Sequence, residues 1–355
     1  MTARARGLLV AGTTSDAGKT VVTTGICRAL ARRGLSVAPF KAQNMSNNSM
    51  VATDPVTGRC VEIGRAQWIQ AVAAGAAPEA AMNPVLLKPG SDRRSHVVVT
   101  GEPAGTLESG EFAGGRAHLA EAAFAAIDDL RSRYDVVVCE GAGSAAEINL
   151  RDHDYVNMGL ARHADFATII VGDIDRGGVF ASMAGTLALL SAEDQALVRG
   201  FVVNRFRGDV GLLRPGLAEL EQRTGRPVLG VLPWLRGMWL DSEDSLALGA
   251  REFDRVEGAG RRPGSRALTV AVVMLPRISN FTDIDALCLE PDVRVRFVDD
   301  PRAIAGADAV VLPGSRATLS DLAWLRERGL DAAIVEHARG GGAIPEDTAA
   351  YMLLV

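Results

Sequence analysis

The sequence has few cysteines, no long apolar run and no excess of positive charge. Its four cysteines are far apart and form no CxxC pair, which excludes a disulfide framework and favours a reducing, cytoplasmic compartment. Charged residues interrupt every apolar run before it could span a bilayer, and the run after Arg6 is too short for a signal peptide. With 38 basic and 43 acidic residues, the net charge of −5 argues against a nucleic-acid partner.

What is present is an alternation of short apolar runs with Ala/Leu-rich stretches over 355 residues. It predicts an α/β fold, in which a parallel sheet carries helices on both faces. The predicted strands of the first part are Leu8–Ala11, Ser36–Phe40, Asp135–Cys139, Phe166–Val171, Gly200–Asn204 and Val228–Val231. The predicted helices there are Val21–Arg33, Glu62–Gly75, Arg116–Arg133 and Gly178–Leu190.

A polar stretch rich in glycine and arginine, residues 242–266, is predicted to be a linker. It separates a first domain, residues 1–241, from residues 267–355, where the alternation restarts as the opening of a second α/β domain. The predicted strands after the linker are Leu268–Met274, Val293–Val298 and Ala309–Leu312, and the predicted helices are Phe281–Leu289, Leu319–Arg328 and Asp331–Arg339.

The first predicted strand runs into GTTSDAGKT, residues 12–20, and a predicted helix follows at once. Because N–H groups at a helix N-terminus lack partners and the helix dipole favours an anion, this pattern indicates a phosphate-binding loop. Lys19 can reach the terminal phosphates of a nucleotide, and the Thr20 hydroxyl can bind Mg²⁺. The spacing is unusual, since five residues separate the two glycines. The predicted nucleotide-binding residues are Gly12, Thr13, Thr14, Ala17, Gly18, Lys19 and Thr20.

Two further strand ends carry polar side chains. Glu140 follows a buried run, at the edge of the sheet where a P-loop needs a Mg²⁺ ligand, although a solvated loop carboxylate is the alternative. Asn204 ends another strand, and its amide could read the edge of a nucleotide base. A turn-capping role for Asn204 is equally consistent with the sequence.

Several motifs narrow the family: PFKAQNMSNN at 39–48, EIGRAQ at 62–67, MNPVLLKP at 82–89, VGDIDRGGVF at 171–180 and NRFRGD at 204–209. Together with the phosphate loop they resemble the cobyric acid synthase family, within the dethiobiotin synthetase and cobyrinate amidase superfamily of ATP-dependent ligases. The resemblance runs from about residue 8 to about residue 341.

The resemblance implies that ATP phosphorylates the b, d, e and g carboxylates of a corrinoid, adenosylcobyrinic acid a,c-diamide, and that ammonia then forms the amides. It implies that Lys41 and Asp16, with Lys19, lie where the γ-phosphate meets the carboxylate. The implied Mg²⁺ ligands are Thr20, Glu62 and Glu140. The implied substrate-binding residues are Gln43, Asn44, Asn47, Asn48, Asp173, Asp175 and Arg176. Two alternatives stay open: the amide-rich run bonds to itself, and Asp175 pairs with Arg176.

The C-terminal part resembles the start of a class I glutaminase domain, at Val270–Leu275 with Arg277–Asp283 and at Val310–Thr318. Such a domain needs a nucleophilic cysteine on a strand-to-helix elbow and a later histidine. By ungapped register the nucleophile falls near Thr348, no cysteine follows Cys288, and the last histidine is His337. We therefore expect a truncated glutaminase-like domain without glutaminase activity, in an enzyme that uses free ammonia or in an inactive fragment.

Two other functions compete with the ligase. A regulatory P-loop ATPase usually has an additional lysine early in the loop, where this chain has Thr13 and Thr14. The second competing function is that of a non-catalytic remnant that only binds a nucleotide. Corrinoid-stimulated ADP formation separates the ligase from both. The expected partners are a corrinoid and ammonia, with no nucleic acid and no membrane, and a homo-oligomer is left open.

Overall fold

The computed structural model describes residues 5–55, 57–90, 94–108, 117–235 and 268–344. The chain divides into two compact units. The first comprises Met1–Asn44, Met50–Leu87 and Val97–Leu240, and the second comprises Met45–Ser49, Lys88–His96 and Asp241–Val355. The predicted linker, residues 242–266, lies outside the described residues, so the domain boundaries stay predictions.

The secondary-structure elements alternate along most of the chain. The strands are β1 Arg6–Gly12, β2 Val37–Phe40, β3 Gln43–Met45, β4 Ser49–Thr53, β5 Cys60–Gly64, β6 Val85–Pro89, β7 Arg94–Val99, β8 Glu102–Glu108, β9 Val136–Glu140, β10 Ala167–Asp173, β11 Val198–Phe206, β12 Val228–Pro233, β13 Leu268–Val273, β14 Val293–Val298 and β15 Ala309–Val311. The α-helices are α1 Lys19–Ala31, α2 Arg65–Ala74, α3 Ala117–Arg133, α4 Met158–Ala164, α5 Val179–Leu189, α6 Ala192–Leu197, α7 Val210–Thr224, α8 Asp285–Leu289, α9 Thr318–Glu327 and α10 Leu330–Arg339.

The first unit is built on a six-stranded sheet in the order β12-β11-β10-β1-β9-β2, in which every pair is parallel. Successive residues of its central strand pack into different cores. Leu9 and Ala11 join a cluster with α3, α4 and α5, whereas Val10 joins a cluster with α1. Because side chains of a strand alternate between its faces, the sheet is covered on both sides. The predicted parallel α/β fold is confirmed.

One predicted helix begins later than the sequence pattern indicates. The prediction started it at Glu62, but residues 60–64 form β5, and α2 begins only at Arg65. Gly64 has an extended backbone, with φ −60° and ψ 136°, and its N–H donates to Asn83 Oδ1 over 2.9 Å. Residues 60–64 pair with β4 and do not form the first turns of the predicted helix.

The second unit contains a three-stranded parallel sheet in the order β14-β13-β15. Its core packs Ala271 and Val273 of β13 against Leu325 of α9 and Leu330 of α10. The predicted helix Phe281–Leu289 starts as a 3₁₀ turn, Phe281–Ile284, and continues as α8.

Residues 43–108 contain strands that the sequence pattern did not reveal. β3, β6, β7 and β8 form a four-stranded sheet in the order β3-β6-β7-β8, and β4 pairs with β5. β3, β4 and β8 are short and rich in polar or small residues, so they lack the apolar signal of the main sheet. β6 and β7 do contain short apolar runs, at residues 85–87 and 97–99, which the prediction did not assign to strands. Within the described residues, no helix is long and apolar enough to cross a membrane.

Candidate nucleotide-binding site

The phosphate loop joins β1 to α1 at the carboxyl edge of the sheet. Gly18 precedes α1 with φ 92° and ψ 27°, a left-handed conformation that L-residues adopt only at a cost. A Cβ atom on Gly18 would lie 2.0 Å from Asn204 Nδ2. The loop is anchored to the sheet, because the Thr13 N–H donates to the Val171 carbonyl over 3.0 Å. The anchored loop therefore holds the first N–H groups of α1 in fixed positions. Fixed N–H donors at a helix N-terminus are what anion binding requires.

Lys19 lies inside this loop and is only 4% exposed. Its ammonium donates to the carbonyls of Thr14 and Ser15, each over 2.8 Å, and to the Gly143 carbonyl over 3.0 Å. It thereby ties the phosphate loop to the loop that follows β9. This places a compact positive charge at the N-terminus of α1, beside the predicted position of the terminal phosphates.

Glu140 is the centre of a buried network. It ends β9, which pairs with β1 so that Glu140 lies opposite Val10, and it is 1% exposed. Its Oε1 accepts hydrogen bonds from Lys41 Nζ and from Thr20 Oγ1, each over 2.9 Å. Glu140, Thr20 and Lys41 therefore lie together at one edge of the sheet, as expected.

The charges around Glu140 decide its protonation state. Burial alone raises the pKa of this carboxyl, but the ammonium of Lys41, hydrogen bonds from Lys41 and Gln70 and the charge of Lys19 outweigh it, so the pKa is lowered. Glu140 is consequently ionised at neutral pH and can act as a ligand or a counter-charge.

The oxygens at this point fit a Mg²⁺ ion that comes with a nucleotide. A hydroxyl and a carboxylate lie next to each other, at Thr20 and Glu140. No group of three or more His, Cys, Asp or Glu that could hold a metal occurs among the residues the structure describes. Mg²⁺ is commonly bound by one or two protein oxygens together with phosphate oxygens and water, which is the arrangement these two side chains allow.

Glu62, the third predicted metal ligand, lies in β5 of the two-stranded sheet. Its side chain is half-buried, and its N–H donates to the Gly101 carbonyl over 3.1 Å. Its role at the metal stays a prediction.

Asn204 contacts the phosphate loop itself. Its Nδ2 donates to the Ala17 carbonyl over 3.0 Å, and the side chain is buried. This bond connects the end of β11 to the residue before Gly18. Recognition of a nucleotide base by Asn204 stays a prediction.

The acidic residues after β10 pair with arginines of neighbouring loops. The alternative in which Asp175 pairs with Arg176 is not the arrangement in the structure, because Asp175 pairs with Arg207 and Arg176 pairs with Asp16. Arg205, which has a left-handed φ of 59°, brings its guanidinium to Asp173 from the end of β11. The pairs are Asp173 with Arg205 at 2.7 Å, Asp175 with Arg207 at 3.3 Å and Asp16 with Arg176 at 3.8 Å.

The amide-rich run is divided between the two units. In the first unit, Gln43 accepts a hydrogen bond from the Tyr155 hydroxyl, and Asn44 Nδ2 donates to Gln67 Oε1 over 3.1 Å. These amides bond to distant segments and not to one another. The sequence alternative of a loop bonded to itself does not describe this part of the run.

In the second unit, Asn47 Nδ2 donates to the Pro89 carbonyl over 3.2 Å. Asn48 Oδ1 accepts from the Thr282 hydroxyl over 2.8 Å, while the Asn48 N–H donates to Ser46 Oγ over 2.9 Å. Here the run combines a local bond with bonds to remote residues. Substrate binding by these amides stays a prediction.

Two sequence profiles match the chain. One, described as the CobQ/CobB/MinD/ParA nucleotide binding domain, covers residues 8–244, which is more than half of the chain. The chain belongs to this family. The second profile, the CobB/CobQ-like glutamine amidotransferase domain, matches residues 269–354. The phosphate loop, Lys41, Glu140 and Asn204 all lie within the first match, so the nucleotide-binding prediction for this domain is confirmed at the level of the family.

Curated relatives agree with the family. The cobyric acid synthases of Mycolicibacterium vanbaalenii and of Mycobacterium tuberculosis are each 66% identical over 335 residues, or 94% of this chain. The chain spans 66% of the length of each relative. Among solved structures, the MinD cell division protein of Aquifex aeolicus aligns over 65% of this chain and 84% of its own, with 14% identity and a TM-score of 0.37. The predicted resemblance to cobyric acid synthase is confirmed.

Two residues of this family member's site were missed by the sequence reasoning. Gln70 of α2 donates from Nε2 to Glu140 Oε2 over 2.6 Å. Asn157 Nδ2 donates to the carbonyls of Ala142 over 2.6 Å and Ser144 over 3.1 Å, in the loop after β9. A polar residue at a core position of an Ala-rich helix was the available signal for Gln70.

Proposed function

We propose that the chain catalyses the ATP-dependent amidation of corrinoid carboxylates in cobalamin biosynthesis, as the name of its 66%-identical relatives indicates. The observation that carries the proposal is the cluster at the phosphate loop, where Lys19, Thr20, Lys41 and Glu140 meet. A P-loop that only binds a nucleotide needs Lys19 and Thr20. A second buried lysine beside the first is suited to an additional anion, such as the carboxylate that receives the phosphoryl group.

The proposed reaction has two steps. A substrate carboxylate oxygen attacks the γ-phosphorus of ATP, ADP leaves, and a mixed acyl phosphate forms. Ammonia then attacks the acyl carbon, phosphate departs and the amide remains. The first step gathers negative charge at the γ-phosphoryl group, so positioned cations are the main catalytic requirement. Lys19 and the N-terminus of α1 bind the phosphates, and Lys41 neutralises the incoming carboxylate.

A Mg²⁺ ion bound with the nucleotide would supply further neutralisation of phosphate charge. Thr20 and Glu140 are the residues that would hold it, with Glu62 as the additional ligand expected from the resemblance. Asp16 lies in the same loop and is paired with Arg176, which keeps a carboxylate near the site without burying it. We assign the amides of Gln43, Asn44, Asn47 and Asn48 to the substrate.

The nitrogen source proposed for these 355 residues is free ammonia. Cys288 lies half-buried in the short helix α8, and no cysteine follows it in the sequence. The position expected for the nucleophile, Thr348, lies outside the described residues. Because a threonine hydroxyl is far less acidic than a thiol, it does not replace a cysteine thiolate as attacker.

The test measures ADP and amidated corrinoid formed by the purified chain from Mg-ATP and adenosylcobyrinic acid a,c-diamide, with ammonium or glutamine. Turnover is expected with ammonium and not with glutamine, and Lys19→Met should abolish it because the phosphates lose their main cation. Glutamate release from glutamine would contradict the proposed nitrogen source. A rate of ADP formation that does not depend on the corrinoid would contradict the proposed ligase activity and favour a regulatory ATPase.

A further inference from the structure

Helix α2 carries two fully buried carboxamides on one face. Gln67 and Gln70 are three residues apart, and neither is exposed to solvent. Residues at this spacing lie above one another on a helix surface. Burying a carboxamide costs free energy unless its polar atoms find partners, so each glutamine needs a physical reason for its position.

Gln70 has such a reason in Glu140. Its Nε2 donates to Glu140 Oε2 over 2.6 Å, while Thr20 and Lys41 donate to Glu140 Oε1. The two carboxylate oxygens therefore have separate partners. Rotation about the last torsion of a glutamate is only weakly restricted, so without Gln70 the plane of the carboxylate could turn away from the direction of Thr20 and Lys41.

The amide oxygen of Gln70 supports the orientation in which Nε2 faces Glu140. Gln70 Oε1 is buried and has no hydrogen-bond partner within the described part of the chain. Turning the amide over would place this oxygen against the Glu140 carboxylate, which is repulsive. Among the described residues this buried acceptor is left without a partner, which is unfavourable, while the donor stays on Glu140.

We propose that Gln70 is a positioning residue for the divalent cation of the nucleotide, because it fixes the direction in which Glu140 presents Oε1 beside Thr20. This inference rests on the proposed function, since it takes Glu140 and Thr20 as the cation's protein ligands. Gln70 acts through Glu140 and does not itself touch the nucleotide. The neighbouring Gln67 holds Asn44 and has no part in this arrangement.

The test compares Gln70→Met and Gln70→Leu with the matched control Gln67→Leu, which removes an equally buried amide from the same face. Binding of Mn²⁺ together with a non-hydrolysable ATP analogue is measured by calorimetry, with urea unfolding as the check on folding. Both Gln70 variants should bind Mn²⁺ about 10–100-fold more weakly, as is typical when a partner of a metal ligand is lost, whereas Gln67→Leu should bind it as the unsubstituted chain does.

Gln70→Met keeps the approximate size of the side chain but has no hydrogen-bond donor, so it tests the inference if Gln70→Leu does not fold. Unchanged Mn²⁺ affinity in Gln70→Met, or equal weakening in the Gln67 control, would overturn the inference. The half-saturating Mg²⁺ concentration for ADP formation should rise in the Gln70 variants alone. An unsubstituted chain that binds Mn²⁺ and nucleotide but amidates no corrinoid would contradict the proposed function and leave this inference standing.

Discussion

Replacing Lys41 with methionine is expected to destabilise the protein and to stop catalysis together. Lys41 and Glu140 form an ion pair at 2.9 Å whose side chains are 5% and 1% exposed. Removing one partner of a buried pair leaves the other charge uncompensated, which costs about 3–5 kcal/mol of unfolding free energy. Corrinoid-dependent ADP formation should fall roughly 100-fold or more, as when a positioned electrostatic stabiliser is lost. Urea unfolding and a coupled ADP assay measure the two effects.

The double variant Lys41→Met with Glu140→Gln separates the two effects. Removing both charges avoids the unpaired carboxylate, so most of the lost stability should return while activity stays low. Activity that returns with stability would contradict a catalytic role for Lys41.

Acidification should also narrow the stability difference between Lys41→Met and the unsubstituted chain. The pKa of Glu140 is lowered in the folded protein, because Lys41, Gln70 and Lys19 together outweigh the effect of its burial. Stability from this carboxylate is therefore present above the unfolded-state pKa of a glutamate and is lost as the pH falls through the folded-state value.

Gly18→Ala is expected to weaken nucleotide binding strongly. The backbone at Gly18 has φ 92°, and left-handed conformations cost an L-residue about 1–2 kcal/mol. The added methyl would also lie 2.0 Å from Asn204 Nδ2, which is held by the Ala17 carbonyl. Forcing such a contact costs about 1–3 kcal/mol more or displaces the loop, so the affinity for an ATP analogue should fall by about 30-fold or more.

Gly25→Ala is the matched control for this substitution. Gly25 lies on an exposed face inside α1, and a Cβ there meets nothing within 4 Å. It should leave nucleotide affinity unchanged and raise the unfolding free energy by about 0.5–1 kcal/mol. Wild-type affinity in Gly18→Ala, measured by calorimetry, would contradict the geometry described for the loop.

The main sheet was predictable because its central strands are largely buried and contain apolar runs. β1, β9, β10 and β11 each contain at least three consecutive apolar residues, with polar or charged residues near the strand ends. β3, β4 and β8 were missed because short strands with polar or small residues give no such signal. The start of α2 was predicted too early, because residues 60–64 form β5 and pair with β4.

The candidate site was predictable where residues end predicted strands. Glu140 and the phosphate loop come together because carboxyl ends of parallel strands share one edge. Partner choice was not predictable in the same way. Asp175 and Arg176 are adjacent in sequence, yet the loop after β11 supplies Arg207 to Asp175. Gln70 was missed because only the fold brings α2 to the end of β9.

The use of lysine was a signal in the sequence that went unused. Only three of the 38 basic residues are lysines, and all three, Lys19, Lys41 and Lys88, are at most 5% exposed. Surface cations of this chain are arginines, so lysine occurs where a compact ammonium with three donors fits and a planar guanidinium does not. Two of the three, Lys19 and Lys41, lie at the proposed catalytic centre. The rarity of lysine in this chain therefore marks positions where a compact ammonium is needed.

The most direct test of the account follows heavy oxygen placed in the corrinoid carboxylates. If ATP activates the carboxylate, the oxygen that attacks the γ-phosphorus leaves with the phosphate when ammonia displaces it. Mass spectrometry of the inorganic phosphate should then find one labelled oxygen for each amide formed with ammonium. Amide formation that releases unlabelled phosphate would contradict carboxylate activation by phosphorylation, and with it the roles assigned to Lys19 and Lys41.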